Sequence, residues 1–425
     1  MTKRNNRFNF SNFLQISFLQ SALVILKSFV LRFAIQSIYF VILARTFGPE
    51  KYGSYLGIVA LISIFIPFAS WGSGEILIQN VSRKKELFRE YFGTAILKSI
   101  FFGTILTLFV LILYTIIPIP HISIYSVLFL ALANLIFLKL NDLAKDSFLS
   151  MGLMNQTGTT IIILSLNRLL AILCLITFFA TPSLFIWCTL YCLATLIAAA
   201  IGLFLVIKTL GYPKFNVWEI KNDLKTGFYF SIGTSASNIY NDLDKSMLAK
   251  LSTTEAAGIY GAAYHIVSVS LLPILSLLYA SIRNFFQQGA SGIKSSFELC
   301  KKLLPLSLFY SLIAIAGLFI FSPLLPNIIG EQYLDSVTAL RLLSPVIFLR
   351  TMHVFAADTL TGADFQSTRS IMQILVAVLN GLLNFWLIPI YHWHGAIWAT
   401  IISEFLLMVF LWSSVYFYSK RSLSV

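Results

Sequence analysis

Apolar residues in this chain gather into long runs, and the runs recur from one end to the other. Twelve have the length, about 20 residues or more, that a helix needs to cross a bilayer. They lie at 14–44, 53–81, 92–117, 122–149, 157–180, 183–208, 226–250, 256–284, 301–324, 336–361, 367–389 and 394–418. The pattern predicts an all-α polytopic membrane protein of twelve transmembrane helices. Only Thr181-Pro182 separates the fifth run from the sixth, so this hairpin rests on the weakest break.

The runs are organised as a repeat. Residues 43–55 and 248–260 read almost alike, 205 positions apart. Leu43-Ala44-Arg45, Glu50, Gly53 and Tyr55 match Leu248-Ala249-Lys250, Glu255, Gly258 and Tyr260. A proline follows inside the next run of each half, Pro67 and Pro273. Such a period marks a duplicated transporter, with a substrate path between its halves. Six spans per half is an even number, so both halves enter from the same side. Two parallel six-helix bundles around a central cavity are expected, spanning 1–210 and 226–425. A linker at 211–225 carries Gly211, Pro213 and mixed charge. Proline kinks a helix, which makes Pro67 and Pro273 candidate hinges for alternating access; a static kink is the other reading.

Composition narrows the class. The chain is 58% hydrophobic and 11% charged, against about 25% charged in a soluble domain. Placing the N-terminus in the cytoplasm puts eighteen basic residues on inner segments and three, Arg45, Lys51 and Lys250, on outer loops. That bias fits the positive-inside rule and places both termini in the cytoplasm. The net charge of +13 is thus mostly a topology signal, and nucleic acid is not an expected partner. The basic start leads into a run too long for a cleaved signal peptide. Four cysteines and five scattered histidines form no metal-ligand pattern, so no metal or cofactor is expected.

Charges inside the spans cost energy and carry meaning. Setting aside the 21 Lys and Arg counted to inner and outer segments, nine cations of the thirty remain: Lys27, Arg32, Lys98, Lys139, Lys145, Arg168, Lys245, Arg341 and Arg350. Lys98 and Arg341 sit near span ends, where long side chains snorkel. Seven carboxylates join them: Glu75, Asp142, Asp146, Asp242, Asp244, Asp358 and Glu404. Lys139 with Asp142, and Asp242 with Lys245, have the i,i+3 spacing of an ion pair. Lys27 and Arg32 have no acidic residue within a turn, which predicts a net positive cavity and an anionic cargo. In span 7, Ser231, Ser235, Asn238, Asp242 and Lys245 make one polar stripe. Span 1 carries Ser21, Ser28, Arg32 and Gln36 in a similar stripe. Such stripes line a cavity or join helices by hydrogen bonds; the cavity reading assigns Asn238, Asp242 and Arg350 to its wall.

Three segments resemble a known family. The first is Leu43-Ala44-Arg45-Thr46-Phe47-Gly48-Pro49-Glu50-Lys51-Tyr52-Gly53-Ser54-Tyr55. The second is Asn241-Asp242-Leu243-Asp244-Lys245, followed by Ala257-Gly258-Ile259-Tyr260-Gly261-Ala262-Ala263-Tyr264. The third joins Asn380, Asn384 and Leu387-Ile388-Pro389 to Gly395-Ala396-Ile397-Trp398-Ala399-Thr400. In this order they resemble the polysaccharide repeat-unit flippases of the multidrug/oligosaccharidyl-lipid/polysaccharide exporter superfamily. The resemblance implies two bundles forming a V in a bacterial inner membrane. It implies movement of an undecaprenyl-diphosphate-linked oligosaccharide between leaflets, through contact with membrane lipid, for O-antigen (lipopolysaccharide) or related glycans. Coupling to a proton or sodium ion and delivery to glycan polymerase machinery belong to the same picture. Lys27, Arg32 and Lys245 are the implied diphosphate-facing cations, by location; Asp242, Asp358 and Glu404 are the candidate coupling carboxylates.

Rival readings are weaker. Asp242-Leu243-Asp244 has the form of a glycosyltransferase DxD element but lies in an apolar run. Gly93-Thr94-Ala95-Ile96-Leu97-Lys98-Ser99 lacks the glycine before the lysine of a P-loop. A non-enzyme with no catalytic residue is expected. A membrane glycan polymerase would normally carry a large external loop, which this chain lacks. A drug efflux antiporter of the same superfamily shares the fold, but such pumps lean on acidic residues.

Overall fold

The computed structural model describes residues 16–215 and 224–421. The expected linker lies partly outside these residues. The described residues form helices and no strands: α1 (Ile16–Ser63), α2 (Ile66–Ala69), α3 (Ser73–Arg83), α4 (Phe88–Ile116), α5 (Ile124–Ala131), α6 (Leu138–Ser150), α7 (Met154–Phe178), α8 (Leu184–Leu210), α9 (Leu224–Leu251), α10 (Thr254–Ser270), α11 (Leu272–Gly289), α12 (Ile293–Phe321), α13 (Leu325–Ile329), α14 (Asp335–Leu343), α15 (Val346–Gly362) and α16 (Gln366–Arg421). A π-helical turn, Leu132–Phe137, joins α5 to α6.

Two of these helices are hairpins. Gly48, at φ 69° and ψ 173°, breaks α1. The Tyr39 and Tyr55 hydroxyls then lie 3.1 Å apart, whereas sixteen residues of straight helix would hold them about 24 Å apart. His392 breaks α16 in the same way, and Asn380 donates to Ser403 at 3.1 Å. Among the described residues eight helices are long and apolar enough to cross a membrane, or nine with the α10–α11 pair, bent by 44°. Dividing α1 and α16 at their breaks, and adding α9, is consistent with twelve spans. Local chemistry sets the starts. Ser123, Ser183 and Thr253 cap α5, α8 and α10, each hydroxyl accepting an N–H three residues on. The Ser183 cap makes the thin Thr181-Pro182 break a true helix boundary.

The repeat is structural. The steps from Phe88 to Ile293 and from Ile116 to Phe321 are both 205, so α4 and α12 begin and end in register, 29 residues each. Their outer faces carry bare apolar side chains, such as Phe101, Ile112, Phe309 and Ile320. Exposed apolar surface on this scale belongs against lipid. Within the first half α1 packs on α7 and α8 on α6; within the second α16 packs on α15 and α9. The halves meet where α1 and α2 touch α9 and α10.

Candidate functional site

The halves cross at paired glycines. A Cβ on Gly53 would lie 1.7 Å from the Thr254 carbonyl oxygen, and one on Gly258 2.0 Å from that of Pro49. Gly53 and Gly258 are one repeat step apart, and so are Pro49 and Thr254. Such reciprocity is the signature of a two-fold axis. Two equivalent cations then reach across. Arg45 donates to the carbonyls of Asn327 and Ile328 in the second half. Lys250, its partner by repeat, donates to the Pro118 carbonyl of the first at 3.2 Å. These are two of the three cations that sequence analysis assigns to outer loops, and both bond across the seam.

Beneath this seam lies a cavity of about 250 Å³, lined from both halves by Tyr52, Leu56, Val59 and Ser63 of α1 and by Asp242, Lys245, Tyr264 and His265 of α9 and α10. Asp242 and Lys245 make their expected ion pair at its wall. The Lys245 ammonium also donates to the Asn241 carbonyl at 3.0 Å and sits 4.3 Å from the Tyr264 ring centroid. Its charge is largely spoken for within the protein. The neighbouring Asp244 turns away into the core, accepting from the Tyr260 hydroxyl and the Lys245 backbone N–H. The DxD pair is thereby split between two environments.

From the cavity a polar chain runs into the second half. Arg350 donates to the Tyr264 hydroxyl at 2.9 Å and to the fully buried Glu404. His353 Nε2 lies 2.7 Å from the other Glu404 oxygen. One carboxylate thus holds a guanidinium and an imidazole, one turn apart on α15. Asp358 is set elsewhere, pairing with Arg369 at 3.5 Å where α15 gives way to α16.

The first three members of the polar stripe of span 7 serve the kink. Ser231, Ser235 and Asn238 donate to the carbonyls of Pro67, Ile64 and Ser63, at 2.9, 2.8 and 2.7 Å. Helix breaks free carbonyls, and in a membrane those acceptors need donors. Asn238 is therefore a strut between the halves. Pro67 lies in the first turn of the short helix α2 after the break, and Pro273 sits at the bend between α10 and α11. Both candidate hinges occupy real breaks.

The first half holds the less balanced charge. Lys27 is exposed on α1. Arg32 is half-buried, within electrostatic reach of Asp142 on α6 and of Arg168 on α7. Asp142 is already shared by Lys139 at 3.7 Å and Lys145 at 3.3 Å, and Lys145 also meets Asp146 at 3.5 Å. A cavity of about 160 Å³ opens beside them, lined by Glu75 and Ser99 as well. Two participants, Tyr264 and His353, escaped the sequence-based selection, and Arg168 entered it only as one of nine cations within the spans. Each matters through neighbours on other helices, and no spacing along the chain reveals that.

Comparison with known proteins agrees with this geometry. Residues 18–282 match the model of the "Polysaccharide biosynthesis protein" family. The chain belongs to this family. A protein of Escherichia coli (strain K12) named as a candidate O-antigen transporter is 25% identical over 368 residues, covering 83% of this chain and 86% of its own. Among solved structures, the fold is similar to the inward-facing conformation of a MATE-family multidrug resistance transporter of the MOP superfamily, with TM-score 0.74, 14% identity, and coverage of 92% and 99% of the two chains. A MOP-superfamily transporter from Pyrococcus furiosus, described as having a binding pocket of reversed polarity that suggests a different function, gives 0.67 at 13% identity over 93% and 95%. The chain is thus a multi-pass membrane protein with the fold of a MOP-superfamily transporter.

Proposed function

We propose that this protein flips an undecaprenyl-diphosphate-linked oligosaccharide from the cytoplasmic to the outer leaflet of a bacterial inner membrane by alternating access. Its termini face the cytoplasm, and the halves at 1–210 and 226–425 rock about the glycine seam, with 211–225 as their linker. The observation that carries the reading is the uneven charge along the path. Lys245 and Arg350 on the second half are matched by Asp242 and Glu404. On the first half Lys27 forms no ion pair among the described residues, and Asp142, the carboxylate within electrostatic reach of Arg32, already serves two lysines. A surplus of cations at membrane depth suits an anionic headgroup. Lys27 and Arg32 are the principal diphosphate contacts, with Lys245 a secondary one. A drug efflux antiporter is the second reading, favoured only by the fold's likeness to multidrug transporters.

Coupling is assigned to a proton at Glu404, ahead of Asp242 and Asp358. Glu404 is fully buried yet linked to the cavity through Arg350 and Tyr264, whereas Asp358 pairs near a helix end. The flipped product would be a substrate for glycan polymerase machinery outside. Proteoliposomes with imposed gradients test the coupling: a proton gradient should accelerate flipping and a sodium gradient should not, and the reverse would reject it.

A further inference from the structure

Arg168 presents an unusual half-buried cation, with one edge of its guanidinium buried. It sits in the middle of α7, fourteen residues from one end and ten from the other, so about 15–20 Å of helix separates it from either surface. Its guanidinium stacks on Tyr191, 4.4 Å from the ring centroid. That contact uses the face of the group and leaves the in-plane N–H donors to be satisfied elsewhere. Nε and Nη2 are buried without a hydrogen-bond partner among the described residues. The nearby tyrosine hydroxyls bond elsewhere, Tyr191 donating to Asn134 while Tyr39 and Tyr55 pair with each other. Arg32 on α1, within electrostatic reach, is itself a cation.

Asp142, also within reach of Arg32, already serves Lys139 and Lys145, so two guanidiniums in a low-dielectric setting oppose burial unless a further anion joins them. We propose that Arg168 and Arg32 form a mid-depth anion subsite between α1, α7 and α8, taking phosphate or carboxylate oxygens. An aromatic face fixes one guanidinium, and its free edge has the fork geometry that binds such groups in pairs. On the flippase reading, which this inference deepens, the subsite is a station at which the charged headgroup rests while crossing the membrane centre.

Two sources supply this chemistry, the lipid's diphosphate and an acidic sugar of the glycan. The test is thermal melting of the purified full chain with inorganic pyrophosphate or with glucuronate. Wild type, Arg168→Met, Arg168→Lys, Arg32→Gln and Lys27→Ala are compared. Pyrophosphate should stabilise the wild type, and Arg168→Met should bind it about ten- to a hundredfold more weakly. Without anion, Arg168→Met should melt at or above wild type, because it removes a charged group whose buried N–H edge is unsatisfied; a structural arginine would give a lower melting temperature. Arg168→Lys should keep part of the shift. Stabilisation by glucuronate alone would support the subsite and point to the sugar as its source. No wild-type shift with either anion, or a full shift retained in Arg168→Met, overturns the proposal. If Lys27→Ala loses the shift while Arg168→Met keeps it, the subsite fails and the cationic path survives. If the shift depends on Arg168 but the lipid-linked diphosphate is not flipped, the subsite stands and the flippase reading fails.

Discussion

Adding one methyl group at Gly53 should change which side of the membrane the cavity faces. The new Cβ would stand 1.7 Å from the Thr254 carbonyl oxygen, where a carbon and a carbonyl oxygen normally keep about 3.3 Å. The obstacle is backbone on both sides, so α1 and α10 must part by about 1.5 Å. Overpacking of this kind costs roughly 1–3 kcal/mol. That cost falls only on the state in which the seam is closed, since parted halves leave the methyl free. Gly53→Ala should therefore shift the equilibrium toward seam opening by about 5- to 150-fold. Gly258→Ala should do the same, because its Cβ would meet the Pro49 carbonyl at 2.0 Å. The assay is labelling of a single Val59→Cys, in a background with the four native cysteines replaced, by an impermeant thiol reagent added outside. Gly317→Ala is the control, since its Cβ would meet nothing within 4 Å. Unchanged labelling in both seam variants would refute the argument, and an effect from one alone would refute its two-fold basis.

Further expectations concern the charges. Replacing Arg45 and Lys250 together by alanine removes both straps across the seam and should raise outside labelling roughly two- to tenfold; each single change should do less. Glu404→Gln leaves Arg350 without its counter-charge and should lower stability by about 3–5 kcal/mol in denaturant melts. Adding Arg350→Met should restore much of that loss, and no restoration would dismiss the pairing. Lys27→Arg should flip better than Lys27→Ala at equal membrane abundance if the role is electrostatic; equal rates would leave the charge without a role.

Much of this arrangement is legible in the chain because a membrane reduces the choices. Backbone groups in lipid must be satisfied within a helix, so runs of apolar residues translate directly into spans, and the break at Thr181-Pro182 falls where the polar residues stand. The repeat was readable because Gly53 and Gly258 each have to admit a neighbouring backbone, which few residues other than glycine permit. The i,i+3 pairs at Lys139–Asp142 and Asp242–Lys245 follow from helix geometry alone. Partners from different helices do not. Ser231, Ser235 and Asn238 form a stripe that equally suits a cavity wall, and only the carbonyls freed near Pro67 reveal the stripe as a strut. Tyr264, His353 and Glu404 come from three elements spread over 140 residues, and Arg168 stands within an otherwise apolar run. Their roles depend on how helices turn toward one another, a choice that many similar apolar faces leave open.

The central claim is that cations on the first half carry a lipid-linked diphosphate across the membrane. Its most direct test is leaflet-to-leaflet movement of a fluorescent undecaprenyl-diphosphate oligosaccharide in liposomes holding the purified protein. The account predicts protein-dependent movement that is lost in the Lys27→Ala, Arg32→Ala double variant while its fold and insertion persist. Normal movement in that variant would contradict the cationic path, and no movement by the wild type across several glycans and imposed gradients would transfer the case to a small-molecule exporter.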